Sequence, residues 1–146
     1  MMTISETLNY DLENICYHEA GHLVALFDQR GDGFIRIDEA ADTTDLHNQT
    51  SRTGRVIVCQ GAATNEGKRI VGIAGAMSEA LYRDSELNED DAELILDEGL
   101  SPTDSEFARG YTQETIETAL QILRRNWDQV RHFAECEIGK LEGGDV

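Results

Sequence analysis

Apolar and site-forming residues recur near the start of the chain at helical spacing. Leu8, Leu12, Ile15, His18 or Glu19, His22 and Leu26 fall on one stripe. The pattern predicts a first helix from about Asn9 to Phe27, with Thr7 or Asn9 as its cap. Gly21 costs helix stability, so it marks a point of close packing. Asp28 to Asp32 reads as a turn. Phe34-Ile-Arg-Ile37 and Gly54-Arg-Val-Ile-Val-Cys59 read as short strands, separated by a polar loop from Ala40 to Thr53. Two strands are too few to stand alone, so they are expected to pair and lie against the helices. Gly61 to Gly67 reads as a second loop.

The second predicted helix runs from Lys68 to Arg83 and buries Ile70, Ile73, Ala74, Met77 and Leu81. Its small residues Gly72, Gly75 and Ala76 let another helix approach closely, and the first helix, with Gly21, is the natural partner. Glu89 to Glu98 reads as a short acidic helix carrying Leu94 and Ile95, and Ser101-Pro-Thr-Asp104 opens another. The last predicted helix is the longest, from about Thr112 to Leu141. Its stripe is Ile116, Leu120, Leu123, Trp127, Val130, Ala134, Ile138 and Leu141, and Trp127 belongs to the core. The tail Gly143-Gly-Asp-Val146 is expected to be loose.

Composition narrows the function classes. The 146 residues suit one domain, 1–146, with a real core. The net charge of −17, from 29 acidic and 12 basic residues, argues against a nucleic-acid surface and against docking on anionic lipid. Cys16, Cys59 and Cys136 have no metal-site spacing, and an odd, scattered set suits reduced thiols in the cytoplasm. The N-terminal residues do not read as a signal peptide. The longest apolar run, Ile70 to Met77, is too short to span a bilayer, so no membrane partner is expected.

The chemistry concentrates at Ile15-Cys-Tyr-His-Glu-Ala-Gly-His-Leu-Val24, which holds the pattern His-Glu-x-x-His. On a helix, His18 and His22 share one face and can grip one Zn²⁺, while Glu19 points at a metal-bound water. Zinc lowers the pKa of such a water, and a neighbouring carboxylate can pass its proton to a leaving amine. A catalytic zinc usually takes three protein ligands. Glu79, Asp90, Asp91 and Asp104, with His47 as an outsider, are the candidates for the third. Glu79 lies on a helix expected to pack against the histidines, so it is a ligand or a partner that orients one of them. Asp104 also has a purely structural reading. Ser101 is a candidate cap, Pro102 suits the first helical position, and Asp104 then favours the helix N-terminus.

These motifs carry a resemblance. Tyr17-His-Glu-Ala-Gly-His22 resembles the signature of the protease domain of the FtsH family of ATP-dependent zinc metalloproteases. Ala74-Gly-Ala-Met-Ser-Glu-Ala-Leu-Tyr82 and Gly99-Leu-Ser-Pro-Thr-Asp-Ser-Glu-Phe-Ala108 resemble two later segments of that domain, in the right order. The resemblance implies a mainly helical α+β fold, a zincin-like peptidase domain with a small β-hairpin or sheet. It implies Zn²⁺ held by His18, His22 and Asp104, with Glu19 as catalytic base. Glu79 then takes a structural or orienting role. The acidic segment Asp84 to Glu98 lengthens the gap between Glu79 and Asp104, which keeps Asp91 as the alternative ligand. The family also carries an ATPase module, yet this chain holds no Gly-x-x-x-x-Gly-Lys-Ser/Thr loop. A peptide or protein substrate, a separate ATPase partner and a homo-oligomer are the partners that follow.

Two alternatives stand beside this expectation. One is a non-catalytic, zinc-stabilised interaction or regulatory protein with a peptidase-like fold. The other rests on Asp28-Gln-Arg-Gly-Asp-Gly-Phe-Ile-Arg-Ile-Asp-Glu39, which looks like an EF-hand calcium loop. Asp28, Asp32 and Glu39 stand at ligand positions, Gly33 at the sixth position and Ile35 at the eighth. Arg30 at a ligand position and the poor exit helix after Glu39 speak against it.

Overall fold

A computed structural model describes residues 4–39 and 52–142. The fold is mainly helical, with one small antiparallel sheet. Helix α1 (Ile4–Asp28) is followed by strands β1 (Asp32–Glu39) and β2 (Arg52–Gln60). Then come α2 (Asn65–Arg83), α3 (Glu89–Glu98), α4 (Pro102–Phe107), α5 (Gln113–Arg125) and α6 (Trp127–Glu142). None of these helices is long and apolar enough to cross a membrane.

Helix α1 is the axis of the molecule. It packs on α2, α5, α6 and both strands, so Leu12, Cys16, Tyr17, Ala20, Leu23, Val24, Ala25 and Leu26 are all buried. A helix surrounded on every side has no single apolar stripe, and the stripe predicted from the sequence is one face among several. The helix also begins earlier than expected, at Ile4, so Thr7 and Asn9 lie inside it rather than at its cap.

Against α1 lies α2, capped by Thr64, whose hydroxyl accepts from the Gly67 N–H at 2.8 Å. The small residues work as expected. A Cβ on Gly21 would collide with Ser78, and a Cβ on Gly75 would collide with both site histidines. Ser78 ties the pair together, donating to the Tyr17 carbonyl at 2.6 Å inside the core. Tyr17 in turn stacks on Tyr82, with ring centroids 3.9 Å apart, and on Trp127, at 5.8 Å.

The strands form the expected pair, longer than predicted, with Ile35 opposite Val56 and Ile37 opposite Gly54. The pairing places Asp32–Glu39, most of the stretch that resembles a calcium loop, in an extended strand. Asp28 closes α1 and bonds Arg125 at 3.1 Å, while Asp32–Glu39 is extended strand rather than a loop that gathers oxygens around an ion. The polar segment 40–51, with His47, and the tail 143–146 lie outside the described residues.

The long C-terminal helix is two helices. At Asn126 the backbone leaves the helical region (φ −110°, ψ 24°), and its side chain caps the Ile122 carbonyl at 2.9 Å. The break lets α5 pack on α2 while α6 packs on α1. Ile116, Leu120, Leu123, Val130 and Ala134 still share the core, because Asn126 falls between two stretches whose apolar spacing stays close to helical.

Candidate metal centre

His18, Glu19 and His22 sit on the buried middle of α1, where α2 passes closest. Asp104 arrives from α4. The short helix is set by its own sequence: Ser101 accepts from the Asp104 N–H at 3.1 Å, and Pro102 takes the first turn. It docks on α2 at Gly72, where a Cβ would strike the backbone of Phe107 and Ala108. The capping and site readings of Asp104 therefore hold together: its backbone starts α4, and its carboxylate points at the histidines.

The result is a tight triangle. His18 Nε2 lies 3.0 Å and His22 Nε2 3.1 Å from Asp104 Oδ2, and the two Nε2 atoms are 3.2 Å apart. A tetrahedral ion with bonds of about 2.0 Å separates its ligand atoms by roughly 3.3 Å, close to this spacing. Among the described residues this is the one group of three His, Cys, Asp or Glu side chains so gathered.

The outer nitrogens fix which atoms face inward. His22 Nδ1 donates to the Val71 carbonyl at 2.6 Å, and a carbonyl can only accept. His18 Nδ1 donates to Glu79 Oε2 at 3.1 Å, and Glu79 Oε1 accepts from Arg83 at 2.9 Å. With both Nδ1 atoms protonated, neutral rings turn two nitrogen lone pairs and a carboxylate oxygen onto one point. Three acceptors at such distances repel unless a cation lies among them. The donor set, two imidazoles and a carboxylate, suits zinc and other first-row divalent ions. This group can hold a metal ion.

Where no ion answers that demand, a proton does. Burial disfavours a charged His18, but hydrogen bonds to Asp104 and Glu79 and the charge of Glu19 outweigh it and raise its pKa to about 10. Burial likewise works against a charged Asp104, yet the hydrogen bonds from His18 and His22 hold it far below the usual carboxylate range.

Glu19 differs from both. It is only 7% exposed, lines the cleft beside the triangle, and makes no hydrogen bond to the described residues. Burial raises its pKa, the two histidines lower it, and Asp104 and Glu79 push it up again. Buried carboxylates without partners are rare. Asp91 is not brought to the triangle. It sits exposed on α3, on the wall of a second depression behind His18. Glu79 touches His18 from outside the triangle and takes the orienting place.

Two features had little sequence signal. The Val71 carbonyl is a backbone group, visible beforehand only through the small residues Gly72 and Gly75 beside it. The cleft wall, about 540 Å³ in volume, joins Leu26, Val56, Val58, Val71 and Phe107 from four elements.

No protein-family model matches the chain, and a search of curated proteins finds no match to it. The resemblance drawn from its motifs rests on those motifs alone.

Proposed function

We propose that the chain is a zinc-dependent peptidase domain of the zincin type, similar to the protease domain of the FtsH family. The observation that supports this most is the pairing of the triangle with Glu19. A buried carboxylate with no hydrogen-bond partner among the described residues stands in the cleft next to three inward-facing ligand atoms. A structural metal site has no use for such a group. A hydrolase needs one, free to accept a proton.

Zinc held by His18, His22 and Asp104 would supply Lewis acidity and an acidified water. The chain's own residues do the rest. Glu19 takes the proton from the attacking water and returns it to the departing amine. Glu79 and the Val71 carbonyl hold the imidazoles in the tautomer that turns Nε2 inward. Strand β2 lines the cleft through Gly54, Arg55, Val56 and Val58. Among the described residues it pairs on one side only, with β1, so its other edge can hold an extended peptide by strand addition.

The test is a zinc-loaded Glu19→Gln variant against wild type on a mixed peptide library. Zinc content should match, and cleavage should fall at least about a hundredfold, the usual worth of a general base. Equal cleavage by the two proteins would overturn the reading. Zinc binding without cleavage in either would favour the non-catalytic, zinc-stabilised alternative.

A further inference from the structure

The cleft carries a charge opposite to that of the rest of the chain. The protein has a net charge of −17 and 29 acidic residues. Yet among the described residues the only carboxylates that line the cleft are Glu19 and Asp104, both already given to the metal centre. The other two charged lining residues besides the site histidines are cations, Arg55 and Lys68.

Neither cation is neutralised within the described residues. Arg36, Arg69, Arg83, Arg109, Arg125, Arg131 and Lys140 each lie against a carboxylate, while Arg30 and Arg124, which do not line the cleft, also lack one among the described residues. Arg55 stands opposite Arg36 in the strand register instead, a like-charge pairing that costs stability. The Lys68 ammonium sits over the Phe107 ring, 5.1 Å from its centroid. That contact holds the charge at the cleft wall without cancelling it. In a chain with more than twice as many acids as bases, a carboxylate partner was available for both. Two cations in one cleft with no carboxylate partner among the described residues ask for an anion from outside.

We propose that the cleft selects peptides carrying an acidic side chain next to an apolar one. The apolar side chain packs among Leu26, Val58, Val71 and Phe107, and the carboxylate is met by Lys68, with Arg55 adding to the field. The carboxylate belongs to an internal residue rather than to a chain end. Beyond Lys68 and Phe107 the surface continues into a further depression lined by Gly61, Ala62, Thr64 and Asn65, which leaves room for the peptide to run on. The inference deepens the peptidase reading and rests on it for the role of the cleft. Its electrostatic logic is local: the acidic surface repels an anionic substrate at long range, and the cleft attracts it at contact.

The test separates binding from turnover. End-capped peptides, acetylated and amidated, share one apolar residue. They carry Glu, Gln or Lys at each neighbouring position in turn. Binding to the zinc-loaded Glu19→Gln protein is read by fluorescence anisotropy. At low salt, Glu at one position should tighten binding roughly two- to fivefold over Gln, the usual worth of a part-exposed ion pair. Lys there should weaken it, and half-molar salt should erase the difference. The Glu-to-Gln affinity ratio should fall to about one in Lys68→Gln. Equal binding of Glu and Gln peptides overturns the proposal, as does a preference that survives in both Lys68→Gln and Arg55→Gln. If wild type cleaves peptides with no acidic preference, the subsite fails and the peptidase stands. If acidic peptides bind selectively and none is cut, the subsite stands and the peptidase fails. If no peptide binds, the subsite is overturned. A last arm with a free C-terminal carboxylate and no acidic side chain should gain nothing.

Discussion

Glu79 Oε2 accepts the Nδ1 proton of His18 at 3.1 Å, so one α2 carboxylate decides which nitrogen of that α1 histidine faces Asp104. Arg83 holds the other Glu79 oxygen at 2.9 Å and stops it from turning away. Glu79→Gln keeps the shape but can present an amide nitrogen to Nδ1 and favour the wrong tautomer. Zinc affinity should fall about ten- to a hundredfold, the usual cost of losing a partner behind a ligand. Competition with a chromogenic chelator measures this. Asp91→Asn, on a different surface, should leave affinity unchanged, and a loss there would return Asp91 to the ligand set.

Gly75 sets two effects against each other. Alanine at a helix interior is about 1 kcal/mol better than glycine. Here, however, a Cβ would collide with Nε2 of both His18 and His22. The collision must push the imidazoles off their inward aim or part α1 from α2. Gly75→Ala should therefore keep its helical circular dichroism and lose most of its zinc. A variant with full zinc content would show that the two helices can separate at no cost to the site.

Much of this was legible in the sequence, for a physical reason. His18, Glu19 and His22 lie within one helical turn and a half, so helix geometry alone fixes their relation. Gly21, Gly75 and Ser101 each announced a local constraint, and each is met at the site. The break at Asn126 was not legible, because the apolar spacing from Leu123 to Val130 stays close to helical across it. Nor was the full burial of α1, since Cys16, Tyr17 and Ala20 meet partners supplied by α2 and α6. The cleft wall draws on α1, β2, α2 and α4, and side chains that meet only in three dimensions leave no common spacing. The EF-hand look of residues 28–39 did not announce the strand, because Asp-x-x-x-Asp-Gly also suits a helix end running into a strand.

Metal response separates the two ion readings directly. Zinc bound to the folded state alone stabilises it by mass action, about 2.7 kcal/mol when free zinc is a hundred times its dissociation constant. Zinc should therefore raise the melting temperature and a chelator should lower it. Calcium should do neither, because Asp28 is engaged by Arg125 and Asp32 accepts from the Gly33 N–H at 2.9 Å within β1. A calcium-dependent rise that Asp28→Asn abolished would revive the loop.

The metal-free protein should show its own pH dependence. His18 has an ordinary value near 6.5, raised to about 10 in the fold by Asp104 and Glu79 against the cost of burial. A raised value means that the folded state holds the proton longer than the unfolded chain does. Its stabilising contribution is then complete below about pH 6.5 and is lost as pH rises towards 10. Asp104 works the opposite way. Its lowered pKa gives stability that is present above the normal carboxylate range and fades as acid protonates it. Denaturant midpoints of the chelated protein should thus fall from pH 7 to pH 10. His18→Gln, which removes the proton-binding ring, should flatten that slope. Zinc-loaded protein should also lose the slope, because there the ion takes the place of the proton between His18 and Asp104. A slope that stayed the same in His18→Gln would assign the titration to another group.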